Sequence, residues 1–173
     1  MPKRKSKKYS RPKKMFDKAI IIEENNLIKK YGLKNRREVW KANFAIETIR
    51  NIAKTLITSS EKDKNEFIER QREKGFPINS IQDVLALNKE DYLKRRFESI
   101  VVKKGLATTH KQARQFITHK HIRVNGNTMN IPSHLTTLSE EGNISLDLEL
   151  PTKKVISDEE RLILSKMKIG ESK

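Results

Sequence analysis

YLKRRFESIVVKKGLATTHKQARQFITHKHIRVNGNTMNIP, residues 92–132, changes its hydrophobic period partway along, and that change decides the fold. The first part has helical spacing. Leu93, Phe97, Ile100 and Val101 fall at i, i+4, i+7 and i+8, the apolar stripe of an amphipathic helix that Gly105 ends. A second helix opens at Thr109, with Gln112 three residues on in a capping-box pattern, and buries Ala113, Phe116 and Ile117. After His119 and Lys120 the period becomes two, with Ile122 and Val124 alternating with His121, Arg123 and Asn125. Asn125-Gly126 suits a type I′ turn, which needs positive φ at both central residues, and Met129 and Ile131 continue on the return strand. The stretch therefore predicts two helices packed on a short antiparallel hairpin.

Charge runs through the same stretch with one sign. Nine lysines and arginines stand against a single acid, Glu98. Lys94, Arg95, Arg96, Lys103 and Lys104 lie mainly off the first apolar stripe, and Lys111 and Arg114 off the second, with Lys120 and Arg123 following. A basic face on one helix is ordinarily a solvated face. The same bias on two helices, a strand and both tails points to nucleic acid. A rigid platform favours binding because cations ordered in advance lose less entropy. His110 and Asn125 join these cations as candidate RNA contacts. Thr108 has two readings, a hydroxyl given to phosphate or a local helix cap.

The run RRFESIVVKKGLATTHKQARQFITHKHIRVNGNTMNIPS resembles the small RNA-binding domain named after small-subunit ribosomal protein S-four. The pieces that carry the likeness are RRF, VVKKGLA, THKQAR and HIRVNG. That domain also occurs in pseudouridine synthases, a tRNA ligase and a heat-shock ribosome binder. A second likeness is more specific. YGLKNRREVWKANF, residues 31–44, is similar to the N-terminal region of archaeal and eukaryotic S-four-type proteins, and VLALNKEDYLKRR, residues 84–96, to their junction with the small domain. Together these cover residues 7–151. The resemblance implies a structural constituent of the small ribosomal subunit, cytoplasmic, that binds small-subunit ribosomal RNA at a multi-helix junction. It further implies early action in assembly and a place near the messenger entry site beside neighbouring ribosomal proteins, with a bearing on decoding accuracy.

The rest of the chain fits an α+β protein, a mostly helical body joined to the small domain. Its 173 residues are 35% charged and 35% hydrophobic with formal net charge +16, so the chain should seek a polyanion. Residues 1–15 form a basic arm whose first fourteen residues lack any acid, expected to be disordered alone and to order along phosphates. Lys7, Lys8, Tyr9 and Arg11 are its candidate contacts, Tyr9 by stacking on a base.

A helical region, 16–91, follows. One helix is expected from Asp17 to Tyr31 and a long one carries Val39, Trp40, Phe44, Ile46, Ile49, Ala53 and Leu56. Trp40 reads as a helix–helix contact, whereas Lys34, Arg36, Arg37 and Lys41 at the helix start read as RNA contacts. Residues 59–65 read as a loop, 66–74 as a short helix and 81–87 as another. The small domain spans 92–150. Within it Glu140–Asn143 reads as a turn, and Ile144, Leu146, Leu148 and Leu150 as a half-buried strand pairing near the hairpin. Residues 151–173 form a polar tail with a helix expected over 158–167.

Little invites chemistry. There is no cysteine, hence no disulfide and no thiolate metal site. No phosphate loop or nucleophile elbow occurs, and His110, His119, His121 and His134 lack the spacing of a zinc-binding helix. No cofactor, metal, membrane or small-molecule substrate is expected. The competing classes are a pseudouridine-synthase type of enzyme and a ribosome-rescue binder. The first lacks its catalytic aspartate motif and room for a catalytic domain, and the second would need only the small domain.

Overall fold

Asp17 opens the first helix. Its carboxylate accepts from the Ala19 N–H at 3.0 Å, and α1 runs Lys18–Lys30. In the computed structural model, which describes residues 7–147, α1 packs on the long α2, Arg36–Leu56. Leu27, Tyr31, Leu33, Val39 and Ala42 form their shared core. The third helix, α3, Glu61–Glu73, starts well before the expected position, inside the stretch read as a loop. Ser60 caps it by accepting from the Asp63 N–H, and only Phe67, Ile68 and Gln71 of its residues are buried, so its polar first turns hid it. A Ser80–Asp83 capping box then opens α4, Ile81–Ala86. Phe67, Phe76, Ile78, Val84 and Leu87 close on Ile46 and Ala53 of α2.

The helix expected to run from Leu93 through Val101 is broken in two. The first piece, α5, covers Lys89–Lys94, and the second, α6, Phe97–Lys103, with Arg96 extended between them at φ −67° and ψ 147°. A distant segment makes the break. The Phe97 N–H donates to the His134 carbonyl at 2.8 Å and the Thr136 N–H donates to the Arg95 carbonyl at 3.3 Å. Residues 132–136 thus satisfy backbone groups that a continuous helix would have used internally. Leu93 consequently packs into the body core with Leu27 and Tyr31, while Phe97 enters the core of the small domain.

That small domain follows its local signals closely. Thr109 caps α7, His110–Thr118, by accepting from the Gln112 N–H. The first strand, β1, is Ile122–Val124, and the turn has φ 52° at Asn125 and 81° at Gly126, as type I′ requires. The return strand β2 is only Asn127–Thr128; Met129 still donates to Ile122, but Ile131 leaves the ladder and is exposed. The expected turn at Glu140 is instead a short helix, α8, Leu138–Gly142, opened by a Thr137–Glu140 capping box. β3, Ile144–Leu146, pairs antiparallel with β1 in the register Ile122 to Leu146 and Val124 to Ile144. The sheet order is β2-β1-β3, and the fold is α+β. Phe97, Ile100, Val101, Ala113, Ile117, Ile122, Val124 and Ile144 fill the core between helices and sheet. Residues 1–6, Leu148, Leu150 and the tail with its expected helix lie outside the described residues.

Candidate nucleic-acid interface

The arginines of the quoted stretch divide into structural and outward-facing sets. Arg96, 3% exposed, donates to Glu38 at 2.8 Å and lies 3.3 Å from Glu98. Arg114 donates to the other Glu38 oxygen at 2.7 Å and lies 3.6 Å from Glu98. Glu38 comes from α2, so two arginines of the small domain grip a carboxylate of the helical body. Burial alone would push the Glu38 carboxyl up, but the hydrogen bonds from Arg114 and Arg96 outweigh it and hold it below its ordinary value. For Glu98, fully buried, the balance is opposite. Burial raises its carboxyl to about 7 against the pull of Arg96 and Arg114, and the nearby Glu38 charge adds to the rise.

Arg95 makes a second fastening. Its guanidinium donates to Glu141 at 2.8 Å, to the Thr136 carbonyl at 3.1 Å and, through Nε, to the Lys74 carbonyl at 3.0 Å. It lies directly over Gly75, whose φ is +77°, and a Cβ there would overlap the guanidinium. His110 is also drawn inward. Its ring tilts against Tyr31 at 5.7 Å, and burial lowers its affinity for a proton. The expectation that Arg95, Arg96, Arg114 and His110 form an outward cationic face is thus corrected. All four join the body to the small domain. The groups that fix this role, Glu38 for Arg96 and Arg114, Glu141 for Arg95 and the Tyr31 ring for His110, lie far off in sequence, which is why the local pattern could not reveal it.

Thr108 is engaged locally but is not the cap: Thr109 holds that position, and both the N–H and the hydroxyl of Thr108 donate to the Gln112 side chain. What remains outward is lysine-rich. Lys103 is exposed and pairs with Glu141 at 3.2 Å, Lys104 donates to the Gly142 carbonyl at 3.1 Å, and Lys94 pairs with Asp91. Arg123 pairs with Asp147 at 2.7 Å across the sheet. Lys111, Lys120 and Asn125 are exposed, and Lys120 holds φ +65° at the helix-to-strand corner. Exposed pairs of this kind contribute little to stability.

The arm and the start of α2 meet. Tyr9 stacks on Trp40 with ring centroids 6.4 Å apart, and the Arg37 guanidinium lies 5.3 Å from the Tyr9 ring. The Trp40 indole N–H donates to Glu24 of α1 at 2.7 Å, which places Trp40 at the expected helix–helix contact. Tyr9 is thus seated on the protein itself. Lys7, Lys8, Arg11, Lys34, Arg37 and Lys41 stay exposed, while Arg36 is half-buried with its Nε 3.9 Å from Glu24. Sequence reasoning passed over Lys74, which joins Lys8 and Lys41 at a cleft beside α2. Its position depends on the turn after α3, which carried no charge pattern.

The helices α6 and α7 with the β1–β2 hairpin, bearing outward lysines, define the class: residues 95–141 match the family model described as the S4 domain. The likeness to whole proteins is wider. The small ribosomal subunit protein uS4 of Methanosphaera stadtmanae is 39% identical over 150 residues, 83% of this chain and 82% of that protein. Its namesake from Methanococcus aeolicus is 41% identical over 151 residues, covering 83% and 85%. The uS4 protein of Methanoregula boonei is 39% identical over 155 residues. The chain belongs to the uS4 family of small ribosomal subunit proteins, whose members here are ribosomal proteins and not enzymes. Among the described residues, no helix is long and apolar enough to cross a membrane.

Proposed function

We propose that this chain is a structural constituent of the small ribosomal subunit and that it binds small-subunit ribosomal RNA directly at a multi-helix junction. The observation that carries the reading is the likeness to uS4 proteins over 83% of the chain, which takes in the helical body as well as the S4 domain. Lysines neutralise phosphates and release counterions, while the shape of the folded junction supplies selectivity. Lys94, Lys103, Lys104, Lys111, Lys120 and Arg123 serve on the domain. Lys7, Lys8, Arg11, Lys34, Arg36, Arg37 and Lys41 form a second zone at the arm and α2. The fastened arginines act indirectly by holding the two zones at a fixed separation, so that one RNA surface meets both at little entropic cost.

Binding a junction before neighbouring proteins arrive makes the chain an early assembly factor of the subunit. Its place near the messenger entry site, beside other small-subunit proteins, links it to decoding accuracy. The test is the salt-dependent affinity of the purified protein for small-subunit ribosomal RNA, compared with large-subunit RNA and a tRNA pool. Tight, selective binding to the first is expected. Equal binding to all three would reduce the reading to charge alone and sink it.

A further inference from the structure

Between α2 and the small domain lies a cleft of about 750 Å³. Its walls are unlike the lysine surface around it. Phe44, Ala45 and Ile49 of α2 face it from one side, and Tyr92 and Leu135 from the other. Burial raises the Tyr92 hydroxyl's pKa, in keeping with an apolar setting. Lys8, Lys41 and Lys74 stand around these walls, each from a different part of the chain. Among the described residues, the one carboxylate lining the cleft, Glu38, is already committed to Arg96 and Arg114. The cleft therefore offers, among the described residues, apolar and aromatic walls with a cationic edge and no free negative charge.

We propose that this cleft takes one unpaired nucleotide of the bound RNA, its base against the Phe44 and Tyr92 walls and its flanking phosphates at Lys8, Lys41 and Lys74. The proposal rests on the RNA reading above and goes beyond it in naming a base-binding slot. Three observations carry it. The volume suits a small ligand rather than a helix of RNA, whose grooves could not enter it. Flat π-faces stack on aromatic walls whatever the base identity. The lysines match the charge of a nucleotide and would repel a basic protein segment. Lys8 reaches the cleft from the arm that the Tyr9–Trp40 stack holds against α2, so the edge is assembled before RNA arrives.

The test fills the slot without removing a cation. Ala45→Trp places an indole in the cleft, and Thr48→Trp, at an exposed position lining it, does so from the rim. Full-length protein is bound to small-subunit ribosomal RNA and probed with dimethyl sulfate and a carbodiimide, which together report all four bases. Wild type should protect an unpaired base from modification. Each variant should leave that base reactive and bind about tenfold more weakly, the scale of one lost stacking contact, with an unchanged salt slope because every phosphate contact remains. Thermal unfolding verifies that the variants fold, and Thr48→Trp carries the test if the tighter Ala45→Trp does not. Wild-type affinity and protections in a folded variant would overturn the slot while leaving the RNA reading intact, as would be seen if a protein segment occupied the cleft. Absence of selective binding by the wild-type protein would overturn both.

Discussion

Arg96 and Lys111 belong to the same basic stretch, fifteen residues apart, yet one is buried and the other faces water. The seam around Arg96 contains Glu38, Glu98 and Arg114 at ion-pair distances, while the surface around Lys111 presents its charge outward. The difference lies in the acids. Glu38 reaches Arg114 across 76 positions of sequence and Glu141 reaches Arg95 across 46. Where a distant carboxylate meets a cation inside the seam, the cation becomes a structural fastener. Where the cation stays at the surface, even when paired as Lys103 and Arg123 are, it is left for a polyanion.

The largest effect should come from breaking the seam. Arg96→Ala leaves buried Glu98 and half-buried Glu38 with half their compensation, and loss of one partner from a buried ionic cluster costs about 3–5 kcal/mol. Urea denaturation should show this loss, whereas Lys111→Ala should leave stability within about 0.5 kcal/mol. Equal stabilities for the two variants would erase the distinction between the regions.

A pH profile sharpens the same contrast. Burial raises Glu98 from the ordinary value of 4.5 to about 7, so the folded state holds its proton more tightly than the unfolded chain. Its contribution is then complete below the ordinary value, declines as pH rises toward 7, and is flat above. Glu38 works the other way, since its lowered carboxyl adds stability above the ordinary range that is lost as pH falls. Glu98→Gln should abolish the decline between about pH 4.5 and 7, on the order of 2–3 kcal/mol. Wild type and variant following parallel curves through that window would mean that Glu98 is charged and paired throughout.

How far the sequence revealed this depends on where the cause lies. Thr109 with Gln112 opens α7, Asn125-Gly126 makes the hairpin turn, and alternation from Ile144 places β3; in each the determining residues are neighbours. The break between α5 and α6 was hidden because residues 132–136 impose it from outside the helix. Helical spacing there was real, but Leu93 and Phe97 serve two different cores. The candidate contacts divide in the same way. Exposure of Lys111 and Lys120 follows from local pattern, whereas the burial of Arg95 and Arg96 and the half-burial of His110 need the body packed against the domain. Family likeness could find the unit without showing which of its cations face outward.

On the outward side the expected effects are smaller and are read in RNA binding. Lys111→Ala should reduce the dependence of log affinity on log salt by about 0.7–0.9, the signature of one lost phosphate contact, with folding untouched. An unaltered slope would place Lys111 off the RNA surface and narrow the first zone to its neighbours.

Lys120 offers the finest division because stability and binding should move in opposite directions. It occupies φ +65°, a left-handed conformation in which a Cβ crowds the backbone and which glycine adopts freely. Its side chain is exposed, so removing it leaves no cavity. Lys120→Gly should therefore stabilise the fold by about 0.5–1 kcal/mol through relief of that strain, less the added freedom of the unfolded chain. The same change deletes one cation at the helix-to-strand corner and should lower RNA affinity and salt slope together. A residue kept for folding would not sit where glycine folds better, so a more stable, weaker-binding variant assigns Lys120 to the RNA. If stability rises while affinity and slope stay at wild-type values, the corner faces solvent in the complex, and the outward surface begins at Lys111 instead.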